Sequence, residues 1–269
     1  MKSFLNLIYK KYNKKEFIGS DPILYPHKLP GNKEFVAFVS SVFAYGKVSL
    51  IQRFLDQFFT EYGVDPFVNK VKKNIYYRFQ NKNDIFIFYQ FLHKVYTDYG
   101  SLYNYFIRQS DDIEIAYEKL RSDFFSYIDN KKTKGLIFLM PDINKSAAKR
   151  IRMFFRWMVR KDEIDFGLWS GYSSKRLKAP LDIHILTYSY NCNIICNKKN
   201  NRSNMEKITE FFRGIDENDP VKYDFAITRL GMIYKCKYTK SESCDFCEWK
   251  NSCFLIDNYK RSYILSMNI

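Results

Sequence analysis

Four of the six cysteines in this 269-residue chain fall close together near one end: Cys236, Cys244, Cys247 and Cys253, spaced C-x7-C-x2-C-x5-C. Thiolate is a soft ligand, and this density of thiols in a chain with no secretory signal points to metal rather than to a disulfide framework. Zinc ribbons commonly offer two closely spaced ligand pairs. Here a single C-x2-C is flanked on each side by one cysteine. That pattern favours a compact loop wrapped around one [4Fe–4S] cluster, with zinc as the alternative. Cys192 and Cys196 stand apart and are read as small buried hydrophobes.

A second group is cationic. Residues 145–161 hold seven basic side chains and no acidic one. On a helix over 145–159, the apolar residues Ala147, Ile151, Phe154, Phe155 and Met158 lie on one side. Lys145, Lys149, Arg152, Arg156 and Arg160 lie on the other. A solvated face normally mixes both signs, so the expectation is a strip that meets phosphates, with Arg150 beside it. An ordinary solvated basic face is the competing reading. The net charge of +15, from 44 basic and 29 acidic residues, also suits a polyanionic partner.

The remaining chemistry sits in single residues. Asp182 follows Pro180-Leu181 and opens an apolar helix, where it can cap the helix or stabilise a developing positive charge. Lys149, or Lys145 as the alternative, offers an amine nucleophile. Tyr45 and Trp169 are candidate pocket aromatics against which a base could stack, or simply core residues. His93 and His184 are read as structural, and His27 sits in a loop with no partner apparent in the sequence.

These residues must be positioned by helices. Gly (10) and Pro (7) are scarce and strand signals are weak, so the fold class is all-α. Helices are expected near 1–12, 32–45, 49–62, 84–99, 101–108, 113–128, 145–159, 203–213 and 223–234. Residues 21–31, with three prolines, read as an extended entry loop. Residues 139–144 read as a tight hairpin between two helices. No apolar run approaches the roughly 20 residues needed to span a bilayer, and residues 1–15 carry no cleavable signal pattern. The expected location is cytoplasmic.

In chain order these features are hairpin and basic helix, helix-opening aspartate, and four-cysteine loop. That order resembles the helix-hairpin-helix DNA glycosylase superfamily. Leu181-Asp182-Ile183-His184 is similar to its Val-Asp-Thr-His segment. The end of the chain, Leu230-Gly231 followed by Cys236, resembles the cluster loop of endonuclease III, whose first spacer is one residue shorter. Lys149, at the start of a basic helix, resembles the lysine of the archaeal 8-oxoguanine glycosylase branch, and Lys145-Ser146-Ala147 resembles the Lys-Thr-Ala of other members. Stretches 21–47, 146–169, 180–184 and 219–224 also resemble an uncharacterised bacterial family of this group, covering about a quarter of the chain together. The superfamily hairpin reads Leu-Pro-Gly-Val-Gly where this chain has Met140-Pro141-Asp142-Ile143-Asn144. An aspartate there repels phosphate, so the basic strip is expected to carry more of the binding.

The resemblance implies a two-lobed helical fold with a C-terminal four-cysteine metal loop. Its parts are an N-terminal helix and entry loop (1–31) on the C-terminal lobe, a helical lobe (32–160) with hairpin and helix at 136–160, a second lobe (161–235) carrying Asp182, the metal loop (236–253) and a tail (254–269). It implies a monomeric, nucleoid-associated base-excision repair enzyme acting on double-stranded DNA with a damaged base, such as an oxidised one. The base would be flipped out of the duplex. Lys149 would form a Schiff base with the sugar and allow strand cleavage, and Asp182 would stabilise the cationic sugar. The rivals are a non-catalytic, metal-stabilised DNA- or RNA-binding protein on the same scaffold and a zinc-containing RNA-binding module.

Overall fold

The computed structural model describes residues 1–129 and 132–253; the tail expected over 254–269 lies outside the described residues. Among the described residues every regular element is helical, with only isolated bridges between extended segments. The α-helices are α1 (Lys2–Tyr12), α2 (Leu24–Lys28), α3 (Lys33–Val42), α4 (Val48–Tyr62), α5 (Lys82–Tyr99), α6 (Leu102–Gln109), α7 (Ile113–Ile128), α8 (Lys134–Leu139), α9 (Lys149–Val159), α10 (Ile183–Asn191), α11 (Arg202–Ile215) and α12 (Asp224–Ile233). Most start where a short polar side chain can satisfy the free N–H groups of the first turn. Asn32, Asn81, Ser101, Asp112, Thr133, Asp182 and Asn201 all accept such bonds, and Asn81 forms a reciprocal capping box with Asp84.

Three local expectations change. Residues 24–28 of the presumed entry loop are helical, because Pro26 sits in the first turn, where its missing N–H has no partner to lose. Helix α3 stops at Val42, short of residue 45. Helix α9 starts at Lys149, four residues later than expected. Asp142 draws residues 142–146 into a turn: its carbonyl accepts from Lys145 N and Ser146 N, and its carboxylate from Asn144 N and Lys145 N. Ala148 then adopts a left-handed conformation (φ 39°, ψ 45°) that breaks any helix through it.

The chain divides into two compact units, Ile18–Ser173 and a discontinuous one made of Met1–Phe17 with Ser174 onward. The sequence reading set its boundaries at 31/32 and 160/161 instead. In the continuous unit α3 is the central element, buried from Glu34 to Val42 and packed on α2 and α9. Glu34 is itself buried. Its carboxylate accepts from Tyr96 Oη (2.8 Å), Leu102 N (2.7 Å), Tyr103 N (2.8 Å) and Trp169 Nε1 (2.7 Å), so one side chain ties α5, α6 and the segment after α9 to α3. Four accepted bonds compensate the lost hydration of a buried carboxylate. In the discontinuous unit α12 is the shared neighbour of α1 and α10. Tyr223 Oη donates to Asn6 Oδ1 (2.7 Å) and Arg229 Nη1 to the Phe17 carbonyl (3.0 Å), which fastens the N-terminal segment to the C-terminal half.

Candidate functional site

The expected basic strip is not a surface. Arg150, Arg152, Arg156 and Arg160 are all buried, at 8%, 1%, 3% and 5% exposure. Arg152 donates to Glu114 Oε1 on α7 (2.7 Å) and to the Ala147 carbonyl (2.7 Å). Arg156 Nε meets Asp165 Oδ1 at 3.3 Å, and Arg160 bridges Asp165 and Asp162, the latter at 2.8 Å. Arg150 donates to the carbonyls of Val42 and Phe138, and burial lowers its guanidinium pKa to about 10. The assignment of these four as phosphate contacts is therefore corrected. Acidic residues from outside 145–161 neutralise Arg152, Arg156 and Arg160 inside the unit. Burial also pushes the Asp165 carboxyl up, against the pull of Arg156 and Arg160 in the other direction.

Only the lysines of the stretch face solvent. Lys145 is exposed in the turn, 3.7 Å from Asp142 Oδ2. It is not a helical turn away from Lys149 on a shared face, since α9 starts only at Lys149. Lys149 is half-buried as the first residue of α9. It follows Ala148, whose positive φ carries strain of order 1–2 kcal/mol in a residue with a Cβ. The bond from Arg152 to the Ala147 carbonyl holds this turn in place. The hairpin before it does not offer free N–H groups to an anion: Ile143 N donates to Glu118 Oε1 (3.2 Å), and Asn144 N and Lys145 N donate to Asp142 Oδ1 (2.9 and 3.2 Å).

Asp182 caps α10 with Oδ1 on Ile185 N (2.8 Å), while Oδ2 accepts from Thr228 Oγ1 of α12 (3.2 Å). It remains half-buried. His184 lies against Gly231, where any Cβ would collide with its ring and with Tyr238, so the two helices approach closely at that glycine. Lys149 thus belongs to the continuous unit and Asp182 to the discontinuous one. His27, partnerless in sequence, bonds the Ile164 carbonyl (2.6 Å) and packs on Phe166.

Trp169 is fully buried, with Phe106 and Phe154 rings at 4.7 and 5.2 Å, so it is a core residue and not a pocket wall. Tyr45 is half-buried, its hydroxyl on the buried Gln80, and burial raises its pKa. Around it stand residues that the sequence reading passed over: Arg78, Phe79 and Phe138. A Tyr-Arg-Phe-Gln segment has no periodicity of its own, so no sequence signal marked it.

The four cysteines do come together. Cys236, Cys244, Cys247 and Cys253 line one pocket with Tyr238, Thr239 and Lys250, and none is in a disulfide. Burial pushes the Cys236 thiol up to about 11, with the other three cysteines adding to the rise. Among the described residues no group of three or more His, Cys, Asp or Glu is placed to hold a metal ion. The loop is clamped from outside: Glu248 is bound by Lys11, Tyr12 and Tyr234, which hold its pKa down to about 2. Trp249 Nε1 donates to Tyr12 Oη (2.7 Å). Cys192 is half-buried and Cys196 is exposed, so neither is the fully buried hydrophobe expected from the sequence.

The chain belongs to the DUF2400 family, described as a protein of unknown function, whose model matches residues 21–233. The match ends before Cys236, so the metal-type loop lies beyond it. No curated protein and no solved structure matches the chain. Among the described residues no helix is long and apolar enough to cross a membrane.

Proposed function

We propose that this DUF2400 member is a DNA glycosylase of the helix-hairpin-helix type, acting on a damaged base, with Lys149 as the nucleophile and Asp182 as the assisting carboxylate. The observation that carries the reading is the course of the chain. An N-terminal helix and the C-terminal half form one unit, interrupted by a continuous unit whose last helix begins at Lys149. Asp182 caps the first α-helix after the chain returns. This is the order that the resemblance implies. In the proposed reaction the Lys149 amine attacks C1′ and the bond from C1′ to the base breaks, the base leaving with the bonding electrons. Ring opening then gives the Schiff base, which serves as the electron sink for strand scission. Asp182 stabilises positive charge on the sugar as the base departs.

The cysteine loop is proposed to hold a [4Fe–4S] cluster through Cys236, Cys244, Cys247 and Cys253. What supports this is that the four thiols line one pocket, and that a single C-x2-C with one flanking cysteine on each side is closer to a cluster loop than to the paired ligands of a zinc ribbon. The cluster would supply a cross-link closing the loop and, if redox-active, a one-electron centre. About four irons and four sulfides per chain are expected after anaerobic purification, with loss of iron and solubility in Cys244→Ser; one zinc per chain and no iron would refute the cluster.

The test of the enzyme reading is a panel of duplexes, each carrying one lesion, scored for base release, nicking and borohydride trapping. Lys149→Gln should abolish trapping while binding persists. Asp182→Asn should preserve the α10 cap, because asparagine caps as well as aspartate, yet slow base release by orders of magnitude. Trapping lost in Lys145→Gln instead would move the nucleophile. One observation favours the second reading, a non-catalytic nucleic-acid-binding protein: the hairpin N–H groups are already taken by Asp142 and Glu118. No adduct and no released base across the panel would leave that reading standing.

A further inference from the structure

We infer that the exposed turn at Arg78-Phe79, with Tyr45 and Phe138, is a stacking site for the unpaired bases of a single-stranded nucleic acid. The turn is tight: Tyr77 and Gln80 exchange both backbone hydrogen bonds (2.9 and 2.8 Å), which leaves Arg78 and Phe79 alone at the tip. Gln80 anchors the base of the turn through the Gly135 carbonyl (2.9 Å) and the Tyr45 hydroxyl, and Tyr77 Oη donates to the Tyr45 carbonyl. A hydrogen-bonded base thus presents the tip in one defined geometry.

The tip is apolar, open and cationic at once. Phe79 is 54% exposed, the neighbouring Tyr76 77% and Phe138 38%. The Phe79 and Tyr45 rings are parallel to within 2°, with centroids 6.1 Å apart, and Phe138 stands edge-on to both. The Arg78 guanidinium lies 5.8 and 5.4 Å from the Tyr45 and Phe79 ring centres, and Arg150 lies 5.1 and 4.4 Å from those of Tyr45 and Phe138. Neither arginine forms an ion pair among the described residues, in contrast to Arg152, Arg156 and Arg160. Arg150 is buried and holds the rings from beneath, whereas Arg78 is exposed. An exposed cation without a carboxylate beside an exposed aromatic ring is complementary to a ligand that is flat, π-faced and anionic. A nucleobase on its phosphate chain is such a ligand: the chain's net charge of +15 attracts a polyanion, and the exposed Phe79 ring favours one with a flat π face over an acidic peptide.

The geometry is built at a cost. Arg78 has φ +50°, a left-handed conformation that glycine or asparagine would adopt more easily. Gly46, at φ +105°, leaves the space the guanidinium occupies: a Cβ there would sit 2.6 Å from Arg78 Nη1. Two backbone positions are thereby specialised to hold one arginine against two rings. Binding at this site requires neither Lys149 nor Asp182, so it stands independently of the glycosylase reading.

The experiment is fluorescence anisotropy with the full chain and labelled oligothymidylate, alongside an abasic oligonucleotide of equal length and an oligouridylate. Oligothymidylate should bind more tightly than the abasic strand, because stacking adds to the phosphate attraction. Phe79→Ala should lose about tenfold in affinity with an unchanged salt slope, and Phe79→Trp should restore it. Arg78→Gly, which relieves the positive φ, should leave thermal stability equal or higher while weakening binding and reducing the salt slope. A preference for the thymidylate or the uridylate strand assigns the site to DNA or RNA, and either keeps the inference. Equal affinity for the abasic strand, or affinity within twofold of wild type in Phe79→Ala, overturns it. Base release and borohydride trapping are scored apart from anisotropy, so a failed glycosylase assay and a failed stacking assay remain distinguishable.

Discussion

Two sets of arginines in the same unit have opposite fates. Arg152, Arg156 and Arg160 of α9 and its end are buried and matched to Glu114, Asp162 and Asp165. Arg78 is exposed over Tyr45 and Phe79, buried Arg150 lies over Tyr45 and Phe138, and neither forms an ion pair among the described residues. In sequence the first set is the conspicuous one, because seven basic residues stand together. Sequence proximity of like charges, however, says nothing about the opposite charges that folding delivers from elsewhere. Glu114 comes from α7, 38 residues before Arg152. Charge available to a partner is what remains after this internal neutralisation; of these arginines it remains at Arg78, in an unremarkable turn.

That contrast can be broken at its strongest point first. Arg156→Glu places a second carboxylate beside buried Asp165 and should cost about 4 kcal/mol or more, enough to abolish folding in a domain of ordinary stability; soluble yield and thermal melting measure it. If Arg156→Glu melts like wild type, the residue is not buried against Asp165 and the surface-strip reading returns. Arg156→Met combined with Asp165→Asn should recover much of the loss, since Arg160 keeps Asp162 and no unpaired charge is left inside.

A smaller effect is expected on the other side of the comparison. Gly46→Ala should destabilise by about 1–2 kcal/mol, because a Cβ is unfavourable at positive φ and displaces the Arg78 guanidinium. Oligonucleotide affinity should fall with it, whereas a pure loss of stability without loss of affinity would separate Gly46 from the aromatic tip. The smallest effect belongs to Lys145→Glu. Lys145 is 85% exposed in its side chain and paired only loosely with Asp142, so thermal stability should change by no more than about 0.5 kcal/mol. A larger loss would mean that the turn before Lys149 depends on that lysine after all.

The candidate site was legible in uneven parts. The C-x2-C pair with two flanking cysteines announced a common pocket, since four soft ligands so close in sequence can hardly avoid one another in space. Asp182 was legible as a cap, a role that depends only on the three residues after it. The start of α9 was not legible. It hangs on the Asp142 turn and on the left-handed Ala148, a conformation that alanine's intrinsic preferences oppose and the surrounding contacts impose. For Trp169 the sequence left pocket and core both open, and the structure decides for the core: its indole N–H finds a partner in Glu34, 135 residues earlier, and so can be buried without penalty.

By itself the sequence determined the all-helical class, most helix starts, and the grouping of four cysteines. All of these follow from local chemistry: capping side chains, an apolar period near 3.6 residues, and short loops that cannot separate their own ligands. Tertiary structure alone decided which charges are spent inside, which aromatics reach solvent, and how the chain is shared between two units. Those outcomes depend on partners tens to hundreds of residues apart, whose meeting is fixed by packing and desolvation rather than by any local preference.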